Sequence, residues 1–173
     1  WIFLDLNDLD ITNKKDVVSV ITNKVPEFII NCAAYTNVEQ AENEKKAAFL
    51  VNQKGVKNLL HACEKINAKL IHFSSDYIFD GLKSSPYIET DKPNPLNTYG
   101  ASKLAGETEI LNSNVKSVII RTSWLYSVYG KNFFKTIIKS VSNSELNVIN
   151  DQIGCPTNAK DLALATLKII NEI

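Results

Sequence analysis

The sequence predicts an α/β fold, a doubly wound parallel sheet between helices in three αβα layers, from three observations. Short apolar runs alternate with stretches of helical periodicity. Small or polar residues follow those runs, as they do where parallel strands end beside a ligand. One long loop, from Ser75 to Pro95, carries Gly81, Pro86, Pro93 and Pro95, and long loops in folded domains are usually functional. At 173 residues the chain suits one domain, 1–173, large enough to bury a substantial core.

The elements follow in order. Residues 1–6 are an apolar run closed by Asp5, which reads as a buried strand. Asn13 and Asp16 are spaced like a helix N-cap and its reciprocal acid, and Val17, Val20, Ile21 and Val25 form a stripe ending near Pro26. Residues 28–34 give a second strand running into small residues. Between Asn37 and Ile66 the pattern is helical, with Ala48, Val51, Gly55, Leu59, Ala62 and Ile66 at three- and four-residue steps. Its charged opening, 38–46, reads as a separate short helix or turn. Residues 69–74 form a third strand, the helix around Tyr99 runs to about Asn112, and 115–121 form a fourth strand. A helix over 133–141 precedes a fifth strand over 146–149, a turn over 151–157 and a last helix capped by Asn158, with Asp161 three positions on.

Hydrophobic residues make up 45% and charged residues 22%, the balance of a water-soluble folded protein. Lysine plus arginine equals aspartate plus glutamate, 19 each, so no overall basic field points to nucleic acid or an anionic membrane. No apolar run approaches the ~20 residues of a membrane span, and no signal peptide opens the chain. Cys32, Cys63 and Cys155 are odd in number and widely spaced, which suits reduced, mostly packed thiols in the cytoplasm rather than disulfides or zinc ligands. His61 and His72 lack partners at metal-ligand spacing and read as structural. The chain opens inside an apolar run, has no methionine and ends inside a helical pattern, so it reads as a fragment.

The chemistry concentrates around Tyr99 and Lys103, four residues apart and therefore on one face of a helix. A free tyrosine, with a pKa near ~10, is a poor acid at neutral pH. A neighbouring ammonium favours the phenolate, so Lys103 is expected to lower the Tyr99 pKa and make it a proton donor. Gly100 and Ala101 are small, which leaves room for a ligand. The strand ends supply further candidates: Ala33, Ala34, Tyr35 and Thr36; Ser74, Ser75, Asp76 and Tyr77; Thr122, Ser123 and Trp124. Each also fits a structural role alone. Ser75 could cap a turn, Trp124 could be core, and Asp10 could close the turn before the first helix.

A Ser-Ser strand end followed about two dozen residues later by Tyr-x-x-x-Lys resembles the extended short-chain dehydrogenase/reductase family. The runs Ser74-Ser75-Asp76-Tyr77-Ile78-Phe79-Asp80-Gly81, Pro95 to Glu107, Arg121-Thr122-Ser123-Trp124-Leu125-Tyr126, Asn132-Phe133 and Asp151-Gln152-Ile153-Gly154-Cys155-Pro156-Thr157 are similar, more narrowly, to the dTDP-4-dehydrorhamnose reductases. The similarity runs from about Asp5 to the end of the chain. It implies a Rossmann-like, NAD(P)-binding domain that uses NADPH or NADH to reduce the C4 ketone of a dTDP-4-dehydro-6-deoxy sugar, in the nucleotide-sugar chemistry of surface polysaccharides. By resemblance, Tyr99 donates the proton, Lys103 lowers its pKa and bonds the nicotinamide ribose, and Ser75, where the family usually has threonine, holds the reacting oxygen. Asp76 and Trp124 match substrate-contacting positions, Asp10 and Ile11 the surroundings of the adenine, and Ala33 to Thr36 the path along the cofactor.

The family's opening strand and glycine turn, which receive the pyrophosphate, have no counterpart here. The sheet is therefore expected to be incomplete, truncated at both ends of the domain, and the piece alone to bind cofactor poorly. The expected partner is a dTDP-sugar, with no nucleic acid, membrane or metal; a homodimer stays open. Two other readings remain: another nucleotide-sugar reductase or epimerase, and a non-catalytic regulatory relative.

Overall fold

A computed structural model describes residues 1–141, 145 and 147–173. They form two compact units, Trp1–Arg121 and Thr122–Ile173.

The first unit holds a three-stranded sheet, β1 (Phe28–Asn31), β2 (Lys69–Ser75) and β3 (Ser117–Thr122), in the order β1-β2-β3. β1 and β2 run parallel, with Phe28 opposite Lys69 and Asn31 opposite His72. Leu70 N donates to Lys116 O at 3.0 Å as the chain enters β3. Adjacent strand residues point to opposite faces, and Leu70 and Ile71 are both fully buried. β2 is therefore covered on both sides, as the predicted parallel α/β sheet requires.

Between the strands lie α1 (Lys14–Lys24), α2 (Val38–Asn43), α3 (Lys45–Phe49), α4 (Val56–Ile66) and α5 (Thr98–Leu111). α1 packs on α4 through Val17, Ile21, Leu59 and Ala62. Val56, Leu60 and Cys63 of α4 meet Leu70 and Ile110 in a second cluster. The long helix expected through residue 66 is interrupted by a π-helical stretch, Leu50–Gly55, whose wider turn brings the Asn52 carbonyl toward α5. A Cβ on Gly106 would sit 2.2 Å from that oxygen, so only glycine fits there.

Two expected strands are not formed. Residues 1–6 pair with no strand among the described residues, and Trp1, Phe3 and Leu6 are more than 70% exposed. Apolar residues make a strand only where a neighbour supplies the other half of the ladder. Asp5 instead closes a turn, accepting from the Asn7 and Asp8 backbone N–H groups. Of the expected strand over 146–149, residue 146 lies outside the described residues, and 147–149 carry no regular structure. The reciprocal cap at Asn13 also differs: Asp16 accepts from the Asn13 side-chain amide at 2.6 Å, not from its backbone N–H.

The second unit contains β4 (Leu125–Tyr126) paired in parallel with β5 (Thr157–Asn158), α6 (Phe133–Ser140) and α7 (Ala159–Glu172). Asn158 caps α7 by accepting from Lys160 N at 2.9 Å. No helix among the described residues is long and apolar enough to cross a membrane. Cys63 is buried, but Cys32 and Cys155 are exposed, against the expectation of mostly packed thiols; Cys32 lies just past the end of β1.

Candidate active site

The long loop and α5 converge beyond the end of β2. Ser75 ends the strand in extended backbone and caps a 3₁₀ turn over Asp76–Ile78, accepting from Tyr77 N at 3.2 Å. Its hydroxyl donates to Asp76 Oδ1 at 3.0 Å and lies near enough to the Tyr99 phenol to pull its pKa down. α5 begins at an Asn97 cap, which accepts from Gly100 N at 2.7 Å. Glu42 of α2 takes the Thr98 N–H and hydroxyl at 2.7 and 2.9 Å. Both contacts fix the turn that carries Tyr99, whose ring meets Tyr77 edge-on at 5.5 Å.

Lys103 follows one turn later and is 2% exposed. Its ammonium donates to Phe73 O of β2 at 2.6 Å. Burial pulls its pKa down to about 8, against the Glu107 carboxylate, which raises it. The expected lowering of the Tyr99 pKa by Lys103 is not what the structure has. Burial pushes the phenol up, the Ser75 hydroxyl pulls it down, and the Asp76 and Tyr77 charges push it up further. The ammonium is directed at a backbone carbonyl, and desolvation outweighs the lowering effect of the Ser75 hydroxyl. Burial likewise raises Asp76.

Gly100 does not leave room for a ligand. A Cβ there would stand 2.0 Å from Tyr77 O and 3.1 Å from Pro95 Cβ, so the glycine lets α5 close on the loop.

After β1 the chain is held by two asparagines. Asn31 Oδ1 accepts from Ala33 N at 3.1 Å, and Asn52 accepts from Tyr35 N at 2.9 Å while donating to Tyr35 O at 3.1 Å. Between those clamps Ala33 and Ala34 present only methyl groups. Ala33 and Thr36 are exposed and Tyr35 is half-buried, its phenol donating to Glu44. Asp10 is exposed and accepts from Thr12 N at 2.8 Å. Ile11 has its side chain in the α1–α4 core against Gly55, and its carbonyl accepts from Asn58. His72 is buried, with Nδ1 3.0 Å from Asn31 Nδ2; the Asn31 amide donates, so Nε2 carries the hydrogen. Among the described residues, that Nε2 and the Ser74 hydroxyl have no hydrogen-bond partner.

Trp124 lies in the second unit, 42% exposed, at a positive φ of 46°. A Cβ on Gly154 would come within 2.7 Å of its indole, so the glycine of the 151–157 turn gives the ring its seat. Ser123 Oγ donates to Cys155 O at 2.7 Å, tying the same two segments.

Sequence reading missed Asn52, Glu107 and Arg121. The signal for Asn52 was a polar residue within a helical stripe otherwise filled by small or apolar ones.

The family model described as RmlD substrate binding domain matches residues 2–173. The chain belongs to that family. Among RmlD-family relatives, the dTDP-4-dehydrorhamnose reductase of Aggregatibacter actinomycetemcomitans is 47% identical over 171 residues, 98% of this chain and 58% of that protein. A crystal structure of dTDP-4-dehydrorhamnose reductase from Bacillus anthracis in complex with NADP matches at a TM-score of 0.94 and 44% identity, covering 97% of this chain and 60% of that one. That of Clostridium acetobutylicum matches at 0.95 and 42%, covering 99% and 61%. The chain thus spans a little over half the length of these RmlD-family relatives.

Proposed function

We propose that this chain is the proton-delivery part of an NAD(P)H-dependent reductase acting on the C4 ketone of a dTDP-4-dehydro-6-deoxy sugar to give dTDP-L-rhamnose. The observation that carries the reading is the triple Ser75, Tyr99 and Lys103, with a strand-end hydroxyl that pulls down the pKa of the Tyr99 phenol and a buried ammonium one turn along the same helix.

The residues after β1 suit a nicotinamide dinucleotide. Ala33 and Ala34 offer a flat surface at the end of a parallel strand, and their backbone is already fixed by Asn31 and Asn52. Ala33, Ala34, Tyr35 and Thr36 would lie along the cofactor, with Lys103 and Tyr99 toward its nicotinamide end. Asp10 and the Ile11 backbone would lie toward its adenine end. When bound, the cofactor supplies a hydride to the ketone carbon.

The chain's own residues handle the proton. Tyr99 gives its phenolic hydrogen to the ketone oxygen, and a phenol pushed up by burial holds that hydrogen securely at neutral pH. Ser75 orients the oxygen through its hydroxyl. Lys103, held against Phe73 O one turn along α5, would act toward the cofactor rather than on the phenol. Asp76 would contact the sugar nucleotide, and Trp124 is, by the resemblance alone, a further substrate residue. The place of work is the cytoplasm, where nucleotide sugars and reduced nicotinamides coexist.

The test is the full-length protein with dTDP-4-dehydrorhamnose and NADPH or NADH, followed at the reduced nicotinamide band. Oxidation in proportion to added sugar is expected; none with either cofactor would refute the reading.

A further inference from the structure

We propose that Glu107 is a positioning residue for this chemistry: its buried carboxylate, anchored by Arg121, holds Lys103 as an ammonium one turn beyond Tyr99. The inference rests on the reading of Tyr99 and Lys103 as the proton-delivery pair.

Glu107 is completely buried on α5, four residues after Lys103 and so on the same face. Arg121 of β3 grips it with both arms, Nε donating to Oε1 at 3.1 Å and Nη2 to Oε2 at 2.8 Å. The guanidinium also donates to Glu89 O at 3.3 Å and lies 5.3 Å from the centre of the Phe79 ring. One ion pair therefore ties three pieces together: the helix of Tyr99 and Lys103, the last strand of the sheet, and the loop that starts at Asp76.

The charge matters as much as the anchoring. A lysine taken out of water tends to lose its proton, and Lys103 is 2% exposed. The neighbours that could counter this are few. From β2, His72 faces it, and burial and the Lys103 charge hold that imidazole neutral with a pKa lowered to about 3. From the 3₁₀ turn, Asp76 and Tyr77 act on Tyr99. From α2, Glu42 is engaged by Thr98 and by the Lys45 charge from α3. From the π-helical stretch and α4, Lys54 and Lys57 act on Glu109, which pairs with Lys57 at 3.0 Å. Glu107 is the carboxylate whose field reaches the Lys103 ammonium. Arg121 holds that carboxylate in place without cancelling its effect on Lys103.

The experiment titrates Lys103 in the full-length, cofactor-free protein by NMR of ¹³C-labelled lysine, with Lys103→Arg assigning the signal. Glu107→Gln keeps the shape and removes the charge; its Lys103 midpoint should fall by about one pH unit or more, a tenfold change in proton concentration. Glu107→Asp should restore most of the wild-type value. The alkaline limb of kcat should move down in step. If Glu107→Gln does not fold, Glu107→Gln with Arg121→Met, which leaves no unpaired charge, carries the same measurement. An unchanged Lys103 midpoint in a folded variant overturns the proposal, as does failure of both variants to fold, which would assign the pair to the fold alone. Inactive wild-type enzyme with the predicted titration would instead remove the functional reading and leave the Glu107–Lys103 coupling standing.

Discussion

The buried histidine and the close-packed glycine are the residues whose consequences can be measured first. An unfolded histidine takes its proton near pH 6.5, and folded His72 only at about 3. Above 6.5 both states are neutral and the group contributes nothing to pH dependence. Between 6.5 and 3 the unfolded state binds more protons, so stability falls as the pH falls, by at most about 1.4 kcal/mol per unit. Replacing His72 with Gln should flatten that slope. Denaturant titrations should show the two proteins converging from pH 7 toward pH 4, and parallel curves would contradict the assignment. Gly100→Ala would drive a Cβ into the Tyr77 carbonyl and should cost about 1–3 kcal/mol as the turn and helix separate. An unchanged unfolding midpoint would count against the close approach. At this scale the sequence was half informative. The spacing of Tyr99 and Lys103 placed them on one helix face, and the structure keeps them there. What spacing could not convey is where the lysine points. Its ammonium meets Phe73 O, and the electrostatic partner it needs, Glu107, is one turn further along rather than at Tyr99.

α5 shows why element types are easier to read than their inner faces. The helix buries Ser102, Lys103 and Glu107 as fully as an ordinary helix buries leucine. Each is partnered: Ser102 donates to Tyr99 O and accepts from Asn52, Lys103 donates to Phe73 O, and Glu107 holds Arg121. A periodic search for apolar residues sees none of this. The opposite failure occurs at residues 1–6, apolar throughout but for Asp5 yet without a described strand to pair with. Hydrophobicity reports what a segment could bury, and pairing decides whether it does. α1 offers a direct test at element scale. Its C-cap, Val25, has φ of 42°, a left-handed conformation that costs a β-branched residue about 1–2 kcal/mol. Val25→Gly should relieve this and raise the melting temperature, with a gain of about 1 kcal/mol. A lower melting temperature would show that the valine's packing outweighs its backbone strain.

For the molecule as a whole, the alternation of strands and helices gave the parallel α/β class, and the ordered run of motifs gave the family. The family match, from residue 2 to 173, covers both units. The π-helical stretch escaped notice because Leu50–Gly55 keeps the three- and four-residue recurrences of a regular helix. So did the short β4–β5 pair, because two residues carry no period. The equal count of 19 basic and 19 acidic residues leaves local placement, not net charge, to create the site. Tyr99 is the group proposed to give the ketone oxygen its proton. The decisive measurement compares full-length wild type with Tyr99→Phe, using dTDP-4-dehydrorhamnose and reduced nicotinamide, for turnover and for sugar-nucleotide affinity. The expected result is loss of at least about 100-fold in kcat, the lower end of what a positioned acid contributes, with affinity unchanged within about threefold, under 1 kcal/mol. Turnover retained by Tyr99→Phe would contradict it.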